Sequence, residues 1–183
     1  MRHRITVNRA PVLTLWAAVV AQRLGFKWDE ALTLGRAVAG LNAYSKGVSI
    51  GIFKPTPKEV REQRKKLRSK EMIEIDVLHR AVPALHTKDG LRALSKGEPL
   101  EPATVERYLQ SKFGDALKDV REAMVQLAKS VPPSELDRIG YHLYERFRPR
   151  VPSGKKGWGA AGTLRLDTIR SLTNTLPPPG PYS

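Results

Sequence analysis

Cysteine is absent from this 183-residue chain. That excludes a disulfide framework, a thiol nucleophile, a CxxC redox pair and Cys-ligated zinc or iron–sulfur sites. Histidine occurs four times, as His3, His79, His86 and His142, too few for a His-rich metal centre. The longest apolar run, Val12 to Ala21, is half the ~20 residues that a membrane-spanning helix needs. No phosphate-cradling loop is present, because Gly154-Lys155 lacks both the leading glycine spacing and the following Ser or Thr. No strand–helix unit frames a dinucleotide fingerprint either. No catalytic residue, metal or cofactor is therefore expected.

What the chain has in excess is positive charge: 32 Lys and Arg against 18 Asp and Glu, a net +14, and a pI near 10.3. Hydrophobic residues at 40% and charged residues at 27% are ordinary for a globular chain. The length suits one domain, or one domain with an appendage, burying roughly 70% of its unfolded surface. So large a charge destabilises a small domain by self-repulsion unless a polyanion relieves it. Nucleic acid is the first such partner to expect, ahead of an anionic membrane surface. The charge is localised: +5 over residues 1–53, +6 over 54–70, −2 over 71–102, +1 over 103–148 and +4 over 149–183. Basic segments flank a nearly neutral middle.

The run Val12 to Ala21 follows a basic N-terminus, an arrangement shared with signal and transit peptides. A buried helix is the preferred reading, with Asn8 as cap, Pro11 in the first turn and Gly25 past the end. Apolar nearly all round, this helix belongs at the centre, with Trp16 in the core. After the turn Gly25-Phe26-Lys27-Trp28 a second helix is expected, buried through Ala31, Leu34, Val38 and Leu41, with Gly35, Ala39 and Gly40 allowing close approach. Val48 to Phe53 alternates like a short strand. Helix, short turn, helix, strand and basic arm is an order of parts that resembles winged helix–turn–helix DNA binders. On that architectural resemblance, Arg36, Asn42 and Lys46 are the base-edge or phosphate candidates, since Arg suits guanine and Asn suits adenine.

Pro55-Thr56-Pro57 breaks the chain, and Lys58 to Arg68 reads as a solvated helix capped by Thr56 with Glu59 as box partner. Arg61, Arg64, Lys65 and Arg68 form a cationic stripe suited to a phosphate backbone. Met72 to Val77 alternates and predicts a hairpin turning at Leu78-His79-Arg80 into an edge strand that contains Pro83. Thr87 is expected to cap a short helix through Leu94. Val105, Leu109, Phe113, Leu117, Val120, Met124 and Leu127 keep a helical period, broken at Gly114. Pro132-Pro133-Ser134 opens another helix with Leu136, Ile139, Leu143 and Phe147 buried.

Arg146 to Gly162 interleaves Arg146, Arg148, Arg150, Lys155 and Lys156 with glycines and Trp158, a pattern that can track phosphates while the indole stacks on a base. Leu164 to Leu172 reads as a closing element and Thr173 to Ser183 as disordered.

The expected fold is mainly α: a helix–turn–helix-like unit over 1–53 with a small β-hairpin or wing, a basic arm over 54–70, a mostly helical body over 71–172, and a disordered tail over 173–183. The expected function is nucleic-acid binding, DNA in preference to RNA, without membrane attachment, in the cytoplasm, nucleoid or nucleus. The site residues are Arg36, Asn42, Lys46, Arg61, Arg64, Lys65, Arg68, Arg148, Lys155, Lys156 and Trp158. The alternatives are an enzyme on an anionic substrate, drawing on His79, His86, Glu71, Glu74 and Asp76, or a basic adaptor subunit.

Overall fold

An apolar helix runs through the middle of the molecule and the other elements are laid against it. The computed structural model describes residues 4–49, 72–151 and 161–175. The central helix, α1 (Arg9–Arg23), buries every residue from Pro11 to Ala21. Asn8 stands at its N-cap position, though its side chain makes no capping bond. At the other end Gly25, at φ 119°, sends its N–H to Gln22 O, and Phe26 N–H reaches back to Ala21 O. This is a Schellman closure, which a residue with a Cβ enters only under strain.

The second helix, α2 (Trp28–Ser49), returns along α1. Gly35 makes the crossing possible: a Cβ there would overlap the Thr14 carbonyl and stand 2.8 Å from Ala18 N. Gly40, expected to share that role, faces open space, and Leu41, expected in the core, is 36% exposed. Ala31, Leu34 and Val38 are buried as expected, and among the described residues of α2 they are joined by Leu32, Thr33, Ala39 and Asn42. Val48 and Ser49, expected to open a strand, are the last helical residues of α2, because the helix simply continues through them. Residues 50–53, and with them the rest of that strand, lie outside the described residues, as does the basic stretch 54–70.

β2 (Ile73–Val77), β3 (Arg80–Thr87), β4 (Gly90–Ser95) and β5 (Glu98–Pro99) form one antiparallel sheet in chain order. The β2–β3 hairpin is as expected, turning at Leu78-His79. Pro83, however, sits on β3, between β2 and β4, rather than at an edge. It is opposite Glu74, and the ladder to β4 stops one residue away, at Ala84–Ala93, since Pro83 has no N–H with which to extend it. The helix expected over Thr87 to Leu94 is a strand turn instead. The Thr87 hydroxyl donates to Gly90 O and accepts from Asp89 N, and so closes a turn rather than capping a helix. The next two N–H groups on the outer edge of β4 are taken by α2: Leu91 donates to Glu30 Oε2 at 2.8 Å and Ala93 to Thr33 Oγ1 at 3.1 Å. Arg92 pairs with Asp29 at 3.1 Å beside them.

Three further helices wrap α1: α3 (Pro102–Phe113), α4 (Leu117–Lys129) after a 3-10 turn at Gly114–Ala116, and α5 (Pro133–Phe147). The break at Gly114 is as expected, with φ 55°. The chain closes with β6 (Gly162–Arg165) and α6 (Leu166–Thr175). Thr173 to Thr175, expected in a disordered tail, complete α6, and residues 176–183 lie outside the described residues. β6 pairs antiparallel with a strand the sequence reading did not foresee, β1 (Arg4–Val7), in the register Arg4–Arg165 to Val7–Gly162. The result is mainly α with a small antiparallel sheet, and among the described residues no helix is long and apolar enough to cross a membrane.

Candidate nucleic-acid interface

Chain directions decide which side chains meet. α2 runs back along α1, and α5 also runs opposite to α1: the Trp16 indole donates to Gly140 O at 2.9 Å, while the Tyr144 hydroxyl donates to Arg9 O at 3.4 Å. The start of α1, the second half of α2 and the second half of α5 therefore converge at one pole, which the Arg80 side chain from the start of β3 also reaches. There the Asn42 amide oxygen accepts from Arg80 at 2.9 Å and from the Tyr141 hydroxyl at 3.3 Å. The rings of Tyr141 and Tyr144 stand 5.6 Å apart, and Arg9 Nε donates to Pro149 O at 3.1 Å.

Arg9 is half-buried, and burial first, then the Arg148 cation, push its pKa below the ordinary arginine value. Tyr144 is pushed up, first by burial and then by Tyr141. Arg146 and Arg150 stand exposed close by in sequence. Among the described residues the ion pairs are Arg92–Asp29 and Arg138–Glu135, neither at this pole. Arg9, Arg148 and Arg80 gather here with the Glu145 carboxylate within electrostatic reach of Tyr144, and Asn42 Nδ2 is buried without a hydrogen-bond partner. Chemically the arrangement suits an anion, which would relieve the Arg9–Arg148 repulsion.

The expected site residues divide three ways. Arg148 is at the pole. Asn42 is there too, but it is 1% exposed and committed to Arg80 and Tyr141, so it is corrected from a base-edge reader to a structural residue. Arg36 lies 4.7 Å over the Tyr108 ring, packed on α3 rather than held outward. Lys46 falls on α2 one turn beyond Asn42, with its side chain outside the described residues. Arg61, Arg64, Lys65, Arg68, Lys155, Lys156 and Trp158 also lie outside the described residues. Sequence reading missed Arg9, Arg80 and Tyr141. The only signal for Arg9 was its place in the basic N-terminus, and the other two are brought in by tertiary contact.

Among the described residues the side chains named for the enzymatic alternative do not form one cluster. His79 and His86 stand at opposite ends of β3, roughly 20 Å apart by strand rise. The His79 ring is bonded at 2.8 Å to Arg138 O. Glu74 and Asp76 are exposed on β2, Glu71 lies outside the described residues, and among the described residues no His, Asp and Glu cluster could hold a metal. Set against known protein families, characterised proteins and solved structures, the chain matches none.

Proposed function

We propose that this protein binds nucleic acid, DNA in preference to RNA, by anchoring phosphates at the pole where Arg9 and Arg148 meet. The observation that carries the reading is the half-buried Arg9 guanidinium, bonded through Nε to Pro149 O next in sequence to Arg148, with no carboxylate paired to either arginine among the described residues. The net +14 supplies long-range attraction. The two basic stretches join the chain here: one follows Ser49, about 10 Å of helix beyond Asn42, and the other follows Val151. In this reading Lys46, Arg61, Arg64, Lys65, Arg68, Lys155 and Lys156 add phosphate contacts and Trp158 adds stacking.

The α1–α2 hairpin acts as the scaffold of the pole rather than as a base-reading head, since Asn42 is buried and Arg36 is packed on Tyr108. Sequence discrimination is correspondingly weak, and affinity comes from counterion release. The test is fluorescence anisotropy with duplex and single-stranded DNA and RNA across a salt series. Binding that weakens linearly in log–log form, tightest for DNA, is the expected result. Weak binding at low salt with no dependence on salt would overturn the reading.

A further inference from the structure

We propose a second anion site, a phosphate pocket in the cleft between the β1–β6 ribbon and the end of α3, held by Arg4 and Lys112. It uses other residues than the Arg9–Arg148 pole and does not depend on the nucleic-acid reading, although Thr163, opposite Thr6, bridges to Arg150. The first observation is the ribbon itself. Ile5, Val7 and Leu164 face the core, so the alternation puts Arg4, Thr6, Thr163 and Arg165 on the outer face. The register sets Arg4 opposite Arg165. Directly opposed residues on one face have Cβ atoms about 4.5–5.5 Å apart, and like charges so placed destabilise the pair. Neither arginine has an ion-pair partner among the described residues.

The second observation is a cleft of about 550 Å³ beside Arg4. Ile5 and Phe113 form its floor, and Arg4, Thr6, Ser111 and Lys112 are its polar lining. Its volume suits a small ligand, and no carboxylate lines it; Asp115 and Asp167, the nearest acids in sequence, are not part of the lining. The Ser111 hydroxyl already donates to Tyr108 O at 2.8 Å, which leaves the Arg4 fork, the Lys112 ammonium and the Thr6 hydroxyl as the donors. A planar guanidinium engages two phosphate oxygens at once and an ammonium adds a point charge. Two cations over the cleft match a dianion. The shared chemistry is a phosphate group, whether free or at the end of an oligonucleotide.

The experiment titrates inorganic phosphate into the full chain, followed by amide chemical shifts and by melting temperature. It then repeats the titration with Arg4→Ala/Lys112→Ala and with a control that removes two exposed charges elsewhere, Lys118→Ala/Lys129→Ala. Saturable shifts at Thr6 and Lys112, with at least a tenfold loss of affinity in the first variant and none in the control, are expected. A second arm compares a 5′-phosphorylated oligonucleotide with its 5′-hydroxyl form. A phosphate-dependent gain identifies a nucleic-acid end as the source of the phosphate group, while binding of inorganic phosphate without that gain identifies a free phosphate. Failure of phosphate to bind, or equal losses in variant and control, overturns the proposal. An Arg148→Ala chain whose nucleic-acid binding weakens while its phosphate binding is unchanged separates this site from the pole.

Discussion

Leu78 and Gly140 fit as knob and hole: a Cβ on Gly140 would stand 2.5 Å from Leu78 Cδ2. Leu78 is 2% exposed although it sits at the tip of a hairpin. Both turn residues have positive φ, 51° at Leu78 and 64° at His79, where Asn-Gly is the usual choice. The left-handed backbone costs a leucine about 1–2 kcal/mol, and burial of the side chain returns about 1.5–3 kcal/mol. The hairpin is thereby pinned to α5, with the His79 ring bonded to Arg138 O beside it. Gly140→Ala is expected to destabilise the protein by about 1–3 kcal/mol through overpacking, and Leu78→Ala by about 2–5 kcal/mol through loss of core volume. Because the second change removes the atom that the first collides with, the double variant should cost less than the sum by more than about 0.5 kcal/mol. Urea unfolding of the four proteins reads this directly, and strict additivity would show that the two sites are not coupled.

Gly35 makes a less forgiving contact, because what a Cβ would meet is backbone: the Thr14 carbonyl and Ala18 N. Neither can rotate away, so α1 and α2 must separate. Gly35→Ala is expected to cost about 3 kcal/mol, the upper end for overpacking, despite alanine's better helix propensity. Gly40→Ala, into open space on the same helix, should be neutral or stabilising by about 0.5–1 kcal/mol. Thermal melts of the two variants should move in opposite directions.

Much of this fold is legible in sequence where one periodicity runs long enough. The run Val12 to Ala21 has no polar face to expose, so only the centre can take it, and Trp16 goes with it. Gly25 and Gly114 mark their breaks because both need positive φ. The failures have physical causes too. Thr87 offers the same hydroxyl to a helix cap and to a turn, and Asp89-Gly90 decides for the turn. Leu41 keeps the spacing of Leu34 and Val38, yet α2 is packed through Asn42 instead, a choice made by Arg80 and Tyr141 from distant parts of the chain. β1 is four residues, too short for alternation to register until Leu164 and Gly162 pair with it. The candidate site was the least legible part. Arg148 was visible as one of a run of arginines, but its partner Arg9 lies 139 positions away and nothing local links them.

Tyr144 gives the fold an alkaline limit. Burial, with Tyr141 next, raises its pKa in the folded state above the ordinary value of 10.0. A raised folded value means that the contribution is complete below the unfolded pKa and is lost as pH rises past it, because the unfolded chain releases the proton first. Stability should therefore be insensitive to Tyr144 below pH ~10 and fall by up to about 1.4 kcal/mol per pH unit above it. Tyr144→Phe loses only the 3.4 Å hydroxyl bond to Arg9 O and should make that alkaline slope shallower, the remainder coming from Tyr108, which burial also raises. Chemical denaturation between pH 8 and 11.5 makes the comparison, and equal slopes in the two proteins would place the alkaline limit elsewhere.

Arg148 separates binding from folding at the cationic pole. Its charge lowers the Arg9 pKa, so its removal relieves a repulsion rather than breaking a pair, and Arg148→Ala should leave stability within about 0.5 kcal/mol of the parent or above it. If the guanidinium holds one phosphate, the slope of log affinity against log salt should become shallower by about 0.9 for duplex DNA. Arg9→Ala is the poorer probe, since it also removes the bond to Pro149 O that ties the end of α5 to the start of α1. Lys129→Ala, which takes one exposed charge from the end of α4, is the control for net charge alone. A shallower slope in Arg148→Ala with an unchanged slope in Lys129→Ala localises the contact. Matching small changes in both would mean that the chain attracts DNA through its overall charge and that Arg9 and Arg148 hold no phosphate.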